Sequence, residues 1–114
     1  MDTKQITQIA VEALENVKGE NIIVLDTHKL SPLFSAMIIC TGNSTRQVSA
    51  LVGRVEEDFK KHNIDIVGVE GKNGSDWVLL DGGDIIVHVM LPHTREYYAL
   101  DTLWNEALRA KAVS

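Results

Sequence analysis

Apolar residues at Ile6, Ile9, Ala10, Ala13, Leu14 and Val17 recur with the three-and-four spacing of a single helical face. Asp2 or Thr3 is placed to cap the first turn of that helix, and Gly19 to follow its end. Ile22–Asp26 is short and β-branched, which predicts a buried strand. Thr27 to Ser35, with Pro32 inside it, predicts a loop into a second strand, Ala36–Thr41. Thr41-Gly42-Asn43-Ser44 then turns into a second helix. Ser44 and Gln47 have capping-box spacing, Val48, Leu51, Val52, Val55 and Phe59 form the apolar stripe, and Asn63 ends the helix. Ile64–Val69 predicts a third strand and Gly71 to Ser75 a turn. After a hairpin, Pro92 stops the last strand, and Leu100, Leu103, Trp104, Ala107 and Leu108 form a final amphipathic helix. The order is helix, two strands, helix, three strands, helix. It predicts one α/β domain over residues 1–114, a mixed five-stranded sheet with flanking helices.

The hairpin carries the most information. Trp77–Asp81 and Asp84–Met90 flank Gly82-Gly83, a pattern that reads as two strands joined by a primed turn. With Asp81 facing Asp84, the register places Leu80 opposite Ile85, Val78 opposite Val87 and Trp77 opposite His88. Alternation then sorts the side chains. One face carries Val78, Leu80, Ile85, Val87, Val89 and Leu91, which is ordinary core. The other carries Trp77, Leu79, Ile86, His88 and Met90, a mixture of aliphatics with an indole, an imidazole and a thioether. Such a mixture suits a surface that meets a partner. It also suits a sheet covered on both faces with His88 hydrogen-bonded inside, and periodicity does not choose between the two.

Composition narrows the function classes. The 114 residues hold 11 Lys and Arg against 16 Asp and Glu, a net charge of −5. That balance argues against affinity built on neutralising phosphates, and fits a basic protein partner. A single cysteine, Cys40, excludes an internal disulfide and sits in an apolar run with no basic neighbour to activate it. No apolar run approaches membrane-spanning length, and no signal or transit pattern opens the chain, so a cytoplasmic protein is expected. The four histidines, His28, His62, His88 and His93, lack metal-ligand spacing, and no metal site is expected. Gly42 and Ser44 at a strand–helix junction offer an anion cradle, but a capped turn needs the same residues. Asp81 and Asp84 do not make a convincing two-metal pair. What remains is a binding surface. Trp77, Met90, Tyr97, Tyr98 and Trp104 gather in the last third of the chain, although the spacing of Trp104 fits packing of its own helix better.

Several motifs, in order, carry a resemblance. Asp26 at the end of the first strand, Thr41 to Gln47, Glu70-Gly71, Trp77–Asp81, Gly83 to Val89, and Arg95-Glu96-Tyr97-Tyr98 through Leu103-Trp104 closely resemble the ribosomal silencing factor family, also called the Iojap family. The likeness runs from the first helix to Trp104. Gly82 stands where a larger residue is commoner, and Met90 where Phe is frequent. The resemblance implies a nucleotidyltransferase-like fold without the catalytic carboxylates, no enzymatic activity and no cofactor. It implies binding to the large ribosomal subunit through its fourteenth protein, blocking of small-subunit joining, and repression of translation when nutrients are short. It also implies a homodimer in free solution, with no membrane and no primary nucleic-acid contact. On this reading the partner-binding residues are Trp77, Leu79, His88, Met90 and Tyr98. A nucleotide-binding enzyme using the Gly42 turn, and a self-associating structural protein, are the alternatives.

Overall fold

The computed structural model describes residues 1–71 and 74–113, with side chains as far as Ala107. Lys72 and Asn73, in the predicted turn before the hairpin, and the side chain of Leu108 lie outside the described residues. Helix α1 spans Thr3–Asn16. Its cap is Asp2, whose carboxylate accepts from the Gln5 amide while the Gln5 side chain accepts from the Asp2 amide. The helix closes with Gly19 N–H donating to Leu14 O and Lys18 N–H to Glu15 O. Past the helix end, where Gly19 was expected and lies, it is Lys18 that takes the left-handed conformation, with φ 62°. Gly19 is required for room instead, because a Cβ there would lie 2.5 Å from Cys40 Sγ.

Strands β1 (Glu20–Asp26) and β2 (Ala36–Thr41) pair antiparallel, with a bulge between Glu20 and Ile23 where Asn21 takes φ 49°. Helix α2 (Thr45–Lys61) buries Val48, Leu51, Val52, Val55 and Phe59, the predicted stripe. It ends at left-handed Asn63, and the Ile64 amide is tied back to Phe59 O. That tie shortens the third strand. The expected Ile64–Val69 becomes β3, Gly68–Glu70, because Ile64 and Ile66 lean on the core before the chain reaches the sheet. Strands β4 (Trp77–Asp81) and β5 (Ile85–Met90) complete a sheet of order β1-β2-β5-β4-β3. Among the described strands only the β2–β5 pair is parallel. Between Pro92 and Tyr98, where only a stop was expected, a helix α3 forms with proline at its start, the position where a missing N–H costs nothing. Left-handed Ala99 (φ 49°) ends it, and α4 (Leu100–Val113) follows.

The predicted register of the hairpin is wrong by two. Trp77 pairs with Met90, Leu79 with His88 and Asp81 with Ile86, so Trp77 does not face His88 and Asp81 does not face Asp84. The turn is Gly83-Asp84, one residue later than the Gly82-Gly83 turn expected. Gly83 has φ +86° and its amide donates to Asp81 Oδ1 at 2.9 Å, while Gly82 N–H donates to Ile85 O. A turn with glycine at its first central position needs positive φ only there. The Asp84 carbonyl is taken by the Ser35 and Ala36 amides, which fixes the choice. A slip of two preserves parity, so every side chain stays on its predicted face.

One face of the sheet is buried under α1 and α2 in a core that includes Val78, Leu80, Ile85, Val87 and Val89. On the other face Leu25, Met37, Ile39 and Met90 form a second cluster, covered by Phe34, Leu100 and Trp104, with Trp77 at its border.

Candidate partner-binding surface

The second face is therefore divided. Its β1–β2 half is roofed by the start of α4, where the Trp104 ring meets Phe34 edge-on at 5.8 Å. Trp104 thus packs its own helix, as its spacing suggested. Among the described residues the β4–β3 half has no such roof: Trp77, Leu79 and Ile86 are half-buried, and Tyr98 on α3 is exposed. Two of the expected contact residues lie beneath this surface. Met90 is fully buried and His88 is 6% exposed, because α4 and the Trp77 ring cover the strand that carries them. They support the surface and add little area to it.

Trp77 links the two halves. Its indole Nε1–H donates to His88 Nδ1 at 3.0 Å, across the diagonal of the hairpin. The Tyr98 ring lies 4.8 Å from the Trp77 ring, and Tyr97 meets Tyr98 edge-on at 5.0 Å. Burial pushes the His88 imidazole down to a pKa of about 4, so at neutral pH it is uncharged, with Nδ1 free to accept and Nε2 carrying the proton. Beside Trp77 and Leu79, Glu70 and Gly71 complete a shallow depression of about 300 Å³. Gly71 has φ +88°, and a Cβ there would lie 2.5 Å from the Trp77 carbonyl oxygen, so the tight approach of this turn to Trp77 demands glycine. Glu70 pairs directly with Leu79, and Asp81 follows two residues on, giving the apolar patch an acidic border.

Residues that hold α3 were not among the predicted site residues. Thr94 Oγ1 donates to Asp76 Oδ2 at 3.1 Å, and Arg95 reaches back to β1 and β2. Asp76 and Thr94 carry no distinctive spacing. Arg95 was visible only as part of a motif.

The Gly42 turn does not present a free anion cradle. Gly42 N–H donates to Met90 O, Asn43 N–H to Gln47 Oε1 at 2.7 Å, and Gln47 N–H to Ser44 Oγ at 3.1 Å. The Asn43 side chain holds the Glu20 carboxylate at 2.9 Å, a negative charge beside the turn that works against an anion there. Asp81 Oδ1 serves the hairpin turn, and among the described residues no cluster of three or more His, Cys, Asp or Glu could hold a metal ion.

The family model described as "Ribosomal silencing factor during starvation" matches residues 1–114. The chain belongs to the ribosomal silencing factor family. A "Ribosomal silencing factor RsfS" from Chromobacterium violaceum is 51% identical over 105 residues, covering 92% of this chain and 86% of that protein. A crystal structure of a Chromobacterium violaceum protein superposes with a TM-score of 0.90 at 50% identity, covering 92% of this chain and 88% of the other. A mouse protein named "Mitochondrial assembly of ribosomal large subunit protein 1" is 32% identical over 98 residues, 83% of this chain and 43% of its own length. Among the described residues no helix is long and apolar enough to cross a membrane.

Proposed function

We propose that this ribosomal silencing factor acts without catalysis, binding the large ribosomal subunit through its fourteenth protein and so blocking the small subunit from joining. The observation that carries the reading is the unroofed half of the sheet face. An aromatic pair, Trp77 and Tyr98, stands beside Leu79 with an acidic border of Glu70 and Asp81. Aromatic anchors ringed by charge are what a protein interface requires, and the acidic border suits a basic ribosomal protein. The family description speaks of silencing during starvation, and the mouse relative's name of the large subunit, which support the same partner. Repression then follows from exclusion, since two bodies cannot occupy one surface; the silenced fraction rises with factor concentration over Kd. His88 and Met90 contribute from below, by holding Trp77 and the floor of the patch. The setting for this activity is the cytoplasm, where free subunits are available.

Sedimentation with purified subunits tests the reading. The protein should travel with large and not small subunits, and should lower the yield of joined ribosomes. Tyr98→Ala and Leu79→Arg should each weaken binding on the order of tenfold or more while circular dichroism stays unchanged. Gradient profiles that a stoichiometric excess of protein leaves unaltered would refute it.

A further inference from the structure

Helix α3 has seven residues, too few to hold its own position, yet it delivers Tyr98 onto Trp77. Something outside the helix must fix it. Its first turn is tied by Thr94 to Asp76, the residue before Trp77. Its second tie is the Arg95 side chain, only 12% exposed. Arg95 Nη1 donates to the Asn21 carbonyl at 2.6 Å and to Thr41 Oγ1 at 2.8 Å, and Nη2 lies 3.7 Å from Asp101 Oδ2. These partners belong to the β1 bulge, to β2 and to the first turn of α4. Asn21 stands outside the β1–β2 register because its left-handed backbone breaks the ladder there. Its carbonyl is thereby available to a side chain from across the sheet.

We propose that Arg95 is a positioning residue for the contact surface: its guanidinium locks α3 to the Asn21 bulge and to α4, and so sets Tyr98 against Trp77. The inference rests on the reading of that surface as the ribosome contact. Tyr98 follows Arg95 by three residues, close to one helical turn, so a shift at Arg95 moves the ring directly. The joint between α3 and α4 lies in the same turn, since Ala99 N–H donates to Arg95 O. A planar, forked cation satisfies several acceptors at fixed angles, which lysine does not reproduce. Arg95 acts through Tyr98 and needs no contact of its own with the partner.

A double-mutant cycle separates positioning from contact. The full chain, Arg95→Met, Tyr98→Ala and the combined variant are measured for binding to purified large subunits. In parallel, the Trp77 indole Nε1–H resonance is recorded by NMR, assigned apart from that of Trp104. Arg95→Met should lower affinity on the order of tenfold, yet cost almost nothing further in the Tyr98→Ala background. It should also move the Trp77 indole resonance. Full additivity of the two losses, or an unmoved Trp77 resonance, would overturn the proposal. If Arg95→Met fails to fold, Arg95→Lys carries the same cycle, with the same two outcomes. If the parent protein does not bind large subunits, the proposed function fails, and the Trp77 resonance alone decides whether Arg95 positions the ring pair.

Discussion

Acid should destabilise this protein through one histidine. His88 lies beside the Trp77 ring, with 5.8 Å between centroids, and burial holds its pKa near 4 where an unfolded histidine titrates at 6.5. The unfolded chain therefore takes up a proton as pH falls through 6.5, and the native chain only near 4. The stability tied to the neutral imidazole is complete above pH 6.5 and drains away as pH falls towards 4. A gap of about 2.5 units corresponds to ~3 kcal/mol, a large part of the roughly 5–15 kcal/mol that holds a domain folded. Protonation would also set a second donor at Nδ1 against Trp77 Nε1–H. His88→Asn is the informative variant, since its Oδ1 can accept from Trp77 and does not titrate. Urea unfolding followed by tryptophan fluorescence, at about pH 7 and about pH 4.5, should show the parent losing ~2–3 kcal/mol more than His88→Asn. Equal losses in the two proteins would show that the native imidazole protonates as readily as the unfolded one, and would refute the reasoning.

Two further outcomes are expected. Val87→Asp should unfold the domain, because Val87 is fully buried in the core under α1 and α2 and the carboxylate would find no cation there; a folded circular dichroism spectrum would contradict this. Because the chain carries a net charge of −5 and its proposed partner is basic, added salt should slow association with the large subunit more than it speeds dissociation. Surface-plasmon traces in which only the off-rate responds would count against charge steering.

Much of the fold was legible because its signals are local. The α2 stripe from Val48 to Phe59, the all-buried run Ala36–Thr41 and the alternation in the hairpin each follow from spacing alone. What escaped depended on partners distant in sequence. The hairpin turn moved by one residue because the Asp84 carbonyl serves Ser35 and Ala36, some fifty residues earlier in the chain. The third strand shrank because Asn63 steers Ile64 towards the core. Helix α3 was hidden in a seven-residue stretch with a single buried residue, Thr94, too short for any periodicity to register. The candidate surface was half legible. Alternation assigned Trp77, Leu79, His88 and Met90 to one face correctly, but only the packing of α4 shows that Met90 and His88 are covered.

That division has a consequence for how binding energy and folding energy are shared. Trp77 belongs to both: its ring borders the second cluster, its N–H satisfies a buried imidazole, and its outer face carries Tyr98. Truncating it would remove half-buried apolar area and leave His88 Nδ1 unpaired, costs of roughly 1–3 kcal/mol for the lost acceptor contact alone. Loss of binding in such a variant could not be separated from loss of structure. Tyr98 and Leu79 are different, because neither makes a side-chain hydrogen bond that the described fold depends on, and both reach solvent. On the proposed reading the same sheet face works as floor and as contact. Met90 and His88 fix the floor, Trp77 transmits its position, and Tyr98 and Leu79 offer the area that a partner can cover. Trp77 is already held by His88 and lies against Tyr98, so covering it would cost less side-chain entropy than ordering a free ring.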